Sequence, residues 1–300
     1  MYRILLFLLV AFLPACKQSS VPPSPDNSPF RAQRFSVSKD IPYGPLPGQV
    51  LDVYTQGSWI GEPDYWKPDT SIHPVLVYIH GGGWCGGSKE TVTPFFLPYM
   101  EKGWNIVNIE YRRGEGTAPQ AVDDCMLALR WIAENASNYQ IDTDRVYLSG
   151  ESAGGHLALL TGFLNTLPGS HPCFCGDKLQ IKAVINWFGI TDIRKVETYL
   201  RNEKPEWNYA ASWLNKVNDR ELIMDDYSPV NRLSAHSPPV ISIHGMKDEV
   251  VPPSQALALH HRLDSLKVKN ELLLIPDGKH LGFSQEEFIE IYQRIFDFVE

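Results

Sequence analysis

The chain has 300 residues, of which 43% are hydrophobic and 21% charged, enough for one large globular domain with a substantial core. The formal net charge is -8 and the sequence has no run of Lys or Arg, which argues against a nucleic-acid surface because phosphate binding needs clustered cations. The same totals argue against a repeat array or a disordered protein, and they favour a small molecule or a neutral polymer as partner.

The first 15 residues are typical of a bacterial signal peptide. Arg3 precedes an apolar run from Ile4 to Leu13, which is shorter than the ~20 apolar residues that cross a bilayer. The end of this segment, Leu13-Pro14-Ala15-Cys16, is similar to the lipobox of bacterial lipoproteins, although Pro14 departs from the usual small or aliphatic residue. We expect export with lipidation at Cys16; an ordinary cleaved signal peptide is the alternative.

Residues 16–33 are polar and rich in Ser and Pro, a composition that predicts a solvated, fairly stiff tether. The sequence thus divides into a signal peptide (1–15), a tether (16–33) and a folded domain (34–300). We expect the protein at the periplasmic or cell-surface face of a bacterial membrane, held there only by the lipid anchor. Without the anchor it would be secreted.

Four further cysteines are Cys85, Cys125, Cys173 and Cys175. In an exported protein one or two disulfides can form among them, and four cysteines allow three full connectivities. The cluster from His171 to Gly176 could alternatively supply metal ligands, but it lacks a second pair at a zinc-like spacing. We therefore expect no metal and no other cofactor.

From Arg34 onward, short β-rich runs alternate with amphipathic stretches, which predicts an α/β fold with a mostly parallel sheet and flanking helices. Helices are expected at 93–103, 119–136, from Ser152, at about 254–266 and at 285–300. The predicted strands are 49–56, 74–80, 104–112, 145–150, 181–189, 239–245 and 271–277.

The alternation of strands and helices is interrupted at about 190–239, before the penultimate strand. This insertion carries Tyr199, Trp207, Tyr209 and Trp213 among charged residues, and it is too long for a simple connection. We expect one or two helices over the end of the sheet. They either line a substrate pocket or form a peripheral helix pair with aromatic packing.

The first motif with chemical meaning is Gly150-x-Ser152-x-Gly154, between a predicted strand and a predicted helix. Flanking glycines allow a strained turn in which a Cβ would clash, and such a turn presents a serine hydroxyl at a helix N-terminus. The pentapeptide alone is not decisive, because Ser152 could equally be a helix N-cap without catalytic function.

A second motif, His80-Gly81-Gly82-Gly83-Trp84, directly follows another predicted strand. Consecutive glycines let backbone N–H groups point into a pocket, where they can stabilise an oxyanion. The two motifs together, each at a strand end, predict a serine nucleophile with an oxyanion hole.

A serine hydroxyl needs a base, and the base needs an acid to orient it. His280 follows the last predicted strand and Asp248 follows the preceding one, so both side chains can reach the carboxyl edge of the sheet. The chain order Ser152, Asp248, His280 differs from the orders in chymotrypsin and subtilisin.

The segments "YIHGGGWCGGSKE", "GESAGGHLALL", "IHGMKDEVVP" and "GKHLGF" together resemble the α/β-hydrolase superfamily, within it the carboxylesterases similar to hormone-sensitive lipase and to feruloyl and acetyl-xylan esterases. The resemblance runs from about Gln49 to the C-terminus. It implies an α/β-hydrolase catalytic domain with Ser152 as nucleophile, His280 as base and Asp248 as its orienting acid. It further implies that Gly82, Gly83 and Ala153 donate the oxyanion N–H groups.

Other residues near the motifs have competing interpretations. Asp192 is a rival acid at a strand end, whereas Glu249 is expected to face solvent. His80 and His156 are expected to be packed and hydrogen-bonded. Trp84 and Glu151 are candidate substrate-binding residues, with wall packing for Trp84 and a structural role for Glu151 as the alternatives.

These observations predict an exported serine hydrolase that cleaves carboxylic esters through an acyl-enzyme. Its substrates would be small-molecule or oligosaccharide esters, such as acetylated or feruloylated plant polysaccharide fragments. The alternatives are a generic short-chain carboxylesterase, an amide-cleaving relative (arylformamidase or peptidase), and a non-catalytic binding protein on the same fold. The oligomeric state does not follow from the sequence.

Overall fold

A computed structural model describes residues 34–60 and 65–300. The predictions for 1–33, including the lipidation site Cys16, lie outside these residues. The described chain forms one sheet of nine strands, with helices on both faces. The strands are β1 (Arg34–Pro42), β2 (Val50–Ile60), β3 (Tyr65–Pro68), β4 (His73–Ile79), β5 (Asn105–Ile109), β6 (Ile141–Glu151), β7 (Ile181–Trp187), β8 (Val240–Gly245) and β9 (Asn270–Ile275).

The helices connect the strands in the order expected for a doubly wound sheet. They are α1 (Thr93–Glu101), α2 (Ala118–Asn135), α3 (Ala153–Leu164), α4 (Ile193–Glu203), α5 (Tyr209–Trp213), α6 (Arg220–Asp226), α7 (Ser254–Ser265) and α8 (Gln285–Val299). In the part of the chain that is described, no helix combines the length and the apolar character needed to cross a membrane.

The sheet order is β1-β2-β5-β4-β6-β7-β8-β9, with β3 paired to β2. From β5 to β9 all neighbouring strands are parallel, whereas β2 pairs antiparallel with β1, β3 and β5. This confirms the predicted mostly parallel sheet and adds two strands, β1 and β3, that were not separately predicted.

The core has two layers because the central strands are covered on both faces. Along β4, Val75, Val77 and Ile79 belong to the layer under α2 and α3, whereas Leu76 and Tyr78 belong to the layer under α1 and α8. This burial explains why the strand is a continuous apolar run rather than an alternating one.

The insertion contains three α-helices, α4 to α6, so the expectation of one or two helices was too low. Two of the three are short, and the starts of α4 and α5 depend on local side-chain caps: Asp192 accepts from Lys195 N at the start of α4, and Asn208 accepts from Ala211 N at the start of α5. Short capped helices carry too few turns for a clear apolar period.

Candidate active site

Ser152 lies on the sharp turn between β6 and α3. Its backbone has φ 56° and ψ -119°, a conformation that is strained for any residue with a Cβ. A Cβ on Gly154 would lie 2.0 Å from the Ile79 carbonyl oxygen, and one on Gly150 would lie 2.5 Å from the same atom. The two glycines of the motif are therefore required by the close approach of β4 to this turn.

The Ser152 side chain does not cap α3, since it accepts no hydrogen bond from the first turn of that helix. Its main chain is fixed instead, with Ser152 N donating to Trp187 O at 2.9 Å and Ser152 O accepting from His156 N at 3.0 Å. The helix-cap interpretation is thus wrong, and the hydroxyl lies in the lining of a cavity.

The glycine loop after β4 faces the same cavity because β4 and β6 are adjacent, with Ile79 opposite Gly150. Gly82 and Gly83 have φ 111° and 60°, and a Cβ on Gly82 would lie 2.3 Å from Gly86 O. Within the described chain, neither the Gly82 nor the Gly83 amide donates a hydrogen bond. Ala153 is the first residue of α3, where helical N–H groups also lack an intrahelical partner.

Glu151 holds the glycine loop in place. Its Oε1 accepts from Gly81 N at 2.6 Å and its Oε2 accepts from the Tyr78 hydroxyl at 2.7 Å. Burial raises the pKa of Glu151, while these hydrogen bonds act in the opposite direction. Glu151 does line the cavity, but both oxygens contact the protein, which favours the structural alternative over substrate binding.

His80 supports the loop from behind, as expected. Its Nδ1 lies 2.8 Å from Gly81 O and its Nε2 lies 3.1 Å from Glu110 Oε1, while its ring stacks on Tyr111 with centroids 4.4 Å apart. Glu110 and Tyr111 were not predicted as part of this support. Their signal was the polar stretch "EYRR" directly after the strand beside β4.

Asp248 and His280 form a hydrogen-bonded pair on the loops after β8 and β9, with Nδ1 of His280 2.7 Å from Oδ2 of Asp248. The other carboxylate oxygen accepts from Val250 N at 2.8 Å and Val251 N at 2.9 Å. Burial alone would raise the pKa of Asp248, but hydrogen bonds from His244 and His280 and from the backbone hold it well below its usual value. The carboxylate is therefore ionised and fixed in orientation.

Asp192, the rival acid, and Glu249, the neighbour of Asp248, make other contacts. Asp192 caps α4 through Lys195 N at 3.0 Å, and Glu249 is exposed and pairs with Lys204 at 3.4 Å. Neither forms a hydrogen bond or ion pair with His280 in the described structure, so Asp248 is the acid beside this histidine.

Ser152, Gly82, Gly83 and His280 line one cavity of about 630 Å³. Ala153, the residue after Ser152, is fully buried. The site is built at the carboxyl ends of the parallel strands, where open α/β sheets place their ligands. The other walls are mainly apolar: Val92, Phe95, Phe188, Trp207, Tyr209, Val250 and Leu281.

Trp84 does not belong to this lining, which corrects its assignment as a substrate-binding residue. Its side chain is 0% exposed and stacks on Trp213 with centroids 4.2 Å apart and planes at 12°. Its Nε1 donates to His156 Nδ1 at 3.2 Å. Trp84 adopts φ 59° in the loop, and it packs the insertion onto α3 instead of meeting substrate.

The aromatic residues of the insertion have both of the expected roles, since some line the cavity and others pack in the core. Trp207 and Tyr209 line the cavity, whereas Trp213 is buried with Trp84 and His156. Phe188, directly after β7 with φ 40°, contacts the His280 ring at 4.7 Å between centroids. Phe188 was not predicted as a site residue, although its position between a strand end and Gly189 was a signal for it.

The disulfides that an exported protein could form are not present among the described residues: Cys85, Cys125, Cys173 and Cys175 are all free thiols. Cys125 and Cys175 are buried, and burial raises the pKa of each. Within residues 34–60 and 65–300, no three His, Cys, Asp or Glu side chains come together as metal ligands would.

Comparison with known proteins adds to this geometry. The family described as BD-FAE matches residues 64–263. The curated relative Esterase LipQ of Mycobacterium tuberculosis is 29% identical over 224 residues, which are 74% of this chain and 51% of LipQ. Such curated relatives are longer proteins, and the chain spans about half the length of LipQ.

Two solved structures have similar folds. A truncated carbohydrate esterase from gut microbiota has a TM-score of 0.71 at 22% identity, covering 90% of this chain and 98% of that one. A bifunctional GH43-CE protein of Bacteroides eggerthii has a TM-score of 0.69 at 25% identity, covering 88% of this chain and 38% of that one. The sheet order and these similarities confirm the predicted α/β-hydrolase fold.

Proposed function

The chain belongs to the BD-FAE family, and from this premise we propose that it is a carboxylic ester hydrolase that acts through a serine acyl-enzyme. The single observation that carries the proposal is one cavity lined by Ser152, by two glycines whose amides donate no hydrogen bond within the described residues, and by His280 in contact with Asp248. Relatives with the name esterase, such as LipQ, support the same reaction class.

In the proposed mechanism Ser152 Oγ attacks the ester carbonyl while His280 accepts its proton. The Gly82, Gly83 and Ala153 N–H groups stabilise the tetrahedral oxyanion, and one such donor typically contributes about 10²–10³ in rate. His280 then protonates the departing alcohol. Water, deprotonated by His280, then attacks the acyl-enzyme carbonyl. The bond between Ser152 Oγ and the acyl carbon breaks, the acid is released, and His280 returns the proton to Ser152 Oγ.

We further propose that the alcohol part of the substrate is a carbohydrate, as in acetylated or feruloylated polysaccharide fragments. Trp207 supports this choice: it lines the cavity and is 54% exposed. A large flat aromatic side chain left in water at a cavity mouth is a suitable surface for an amphipathic ring. One protein of similar fold, from gut microbiota, is named a carbohydrate esterase.

A panel of esters on the purified protein tests the proposed function. Acetate or ferulate release from acetylated or feruloylated xylan fragments supports the carbohydrate substrate, whereas turnover of p-nitrophenyl esters alone indicates a generic short-chain carboxylesterase. Preference for formyl or peptidyl amides would indicate the amide-cleaving alternative. Failure of a fluorophosphonate probe to label the protein would favour the non-catalytic binding protein.

Replacement of Trp207 distinguishes the carbohydrate substrate from simple esters. For Trp207→Ala we expect KM for acetylated xylo-oligosaccharides to rise roughly tenfold, about 1.4 kcal/mol of binding, with p-nitrophenyl acetate hydrolysis within about twofold of wild type. Leu222→Ala is the matched control, because Leu222 is 58% exposed in the same insertion but does not line the cavity. Equal losses on both substrates would contradict a sugar-contacting role for Trp207.

We also propose export with lipidation at Cys16, a signal peptide at 1–15 and a tether at 16–33. The support is the apolar run from Ile4 to Leu13 followed by Cys16. Fractionation of cells that express the full chain, with and without Cys16→Ser, tests this proposal. Unaltered membrane association of the variant would contradict the anchor.

A further inference from the structure

Phe95 lies in the walls of two cavities. One is the 630 Å³ cavity that contains Ser152. The other is a groove of about 500 Å³ between α1 and α8, a volume typical of small-molecule sites. We call it the α1–α8 groove; its apolar lining residues are Pro94, Phe95, Pro98, Phe288, Ile289, Tyr292 and Phe296. Phe95 contributes to both linings and so separates the groove from the active site.

Several contacts fix Phe95 as a partition. Its carbonyl oxygen accepts from the Tyr292 hydroxyl at 2.8 Å, which ties α1 to α8. Its ring stacks against Tyr78 with centroids 6.0 Å apart and meets Trp187 edge to face at 5.4 Å. Tyr78 in turn donates to Glu151. The ring therefore packs against Tyr78, which also binds the glutamate that holds the glycine loop.

The position of His280 indicates which part of an ester faces Phe95. His280 has to protonate the departing alcohol, so the alcohol lies on the His280 side of Ser152. A third cavity of about 600 Å³ extends from there, lined by His280, Leu281 and Val250 together with Lys204 and Lys279. It shares no lining residue with the α1–α8 groove. The acyl group then occupies the rest of the Ser152 cavity, whose lining includes Val92 and Phe95.

We propose that Phe95 sets the upper limit on acyl length and that the α1–α8 groove is an acyl-chain site closed off by its ring. This inference rests on the proposed ester hydrolysis and narrows its substrate class to esters of short acids, which selects the acetylated fragments over the feruloylated ones. A longer alkyl chain meets the Phe95 ring before it reaches the groove. Removal of the ring joins two apolar spaces. Each methylene that is newly buried there strengthens binding about fourfold, equivalent to about 0.8 kcal/mol.

The test is a chain-length profile of kcat/KM for p-nitrophenyl acetate, butanoate and octanoate. We expect wild type to prefer acetate, and Phe95→Ala to raise the octanoate-to-acetate ratio at least about tenfold. Phe95→Leu should give a smaller increase, and it serves as the folded variant if the alanine protein is unstable. Leu97→Ala is the matched control, because Leu97 is 41% exposed on α1 and lines neither cavity.

A second substitution separates use of the groove from simple enlargement of the active site. Ile289 lines the groove and is 66% exposed, so Ile289→Trp can fill the groove without disturbing the core. Combined with Phe95→Ala, it should return the octanoate-to-acetate ratio to within about threefold of wild type. A gain that persists in the double variant overturns the assignment of the groove.

The outcomes distinguish this inference from the proposed function. An active wild type with an unaltered chain-length profile in folded Phe95→Ala and Phe95→Leu overturns the role of Phe95 alone. A wild-type protein that hydrolyses none of the esters overturns the proposed function and, with it, the acyl site.

Discussion

Ser152→Ala is expected to lower kcat for p-nitrophenyl acetate by at least about 10⁴, because loss of the nucleophile leaves only binding and oxyanion stabilisation. The fold should be unaffected. Ser and Ala carry the same Cβ, so the strain of φ 56° is equal in both proteins, and the turn is held by main-chain hydrogen bonds to Trp187 and His156. Fluorophosphonate labelling should disappear together with activity, while the thermal midpoint stays within a few degrees of wild type.

Ser149→Ala is the matched control for this experiment. Ser149 lies on β6, three residues before Ser152, and its hydroxyl donates to Ile185 O at 3.0 Å in a buried position. Its removal should cost about 1 kcal/mol of stability and leave kcat nearly unchanged. Undiminished turnover in Ser152→Ala would contradict the nucleophile assignment, and equal losses in both variants would indicate a general structural effect.

The loops that gather at the cavity could be predicted from the sequence because their requirements are local. Gly150 and Gly154 are needed where a backbone passes within van der Waals contact, and such positions exclude every residue with a Cβ. The alternation of strands and helices then brings these loops to one edge of the sheet. To predict that Asp248 and His280 lie together, only the order of the last two strands is needed, and the sequence indicates that order as well.

Other features depend on contacts between distant segments, and the sequence pattern does not encode them. Trp84 follows the glycine loop but turns inward because Trp213, in the insertion, offers it a stacking partner. Phe95 belongs to a helix that was predicted, yet its place between two cavities depends on Tyr292 of the last helix. Disulfide formation is equally hard to predict from the sequence, since the spacing of the cysteines in the chain does not determine whether they meet in the fold.

Asp248→Asn should lower kcat by about 10³–10⁴ through the tautomer of His280 rather than through loss of a contact. Two backbone amides, of Val250 and Val251, donate to Oδ1, so an asparagine will keep its carbonyl oxygen there. Its amide nitrogen then occupies the Oδ2 position, 2.7 Å from Nδ1 of His280, and donates to that ring nitrogen. His280 would carry its proton on Nε2 and could no longer accept one from Ser152.

Asp192→Asn is the control for the same chemical change, since Asp192 caps α4 and does not pair with His280. It should lose at most about 1 kcal/mol of stability and retain kcat.

The pH dependence of unfolding gives a second readout for Asp248→Asn. Because the pKa of folded Asp248 is depressed, its ionised form contributes stability above about pH 4, the unfolded-state value. That contribution declines as the pH falls towards the folded-state pKa, so the stability difference between wild type and Asp248→Asn should shrink in acid. Wild-type kcat in Asp248→Asn would show that another group orients His280, whereas a difference in stability that grows in acid would contradict the depressed pKa.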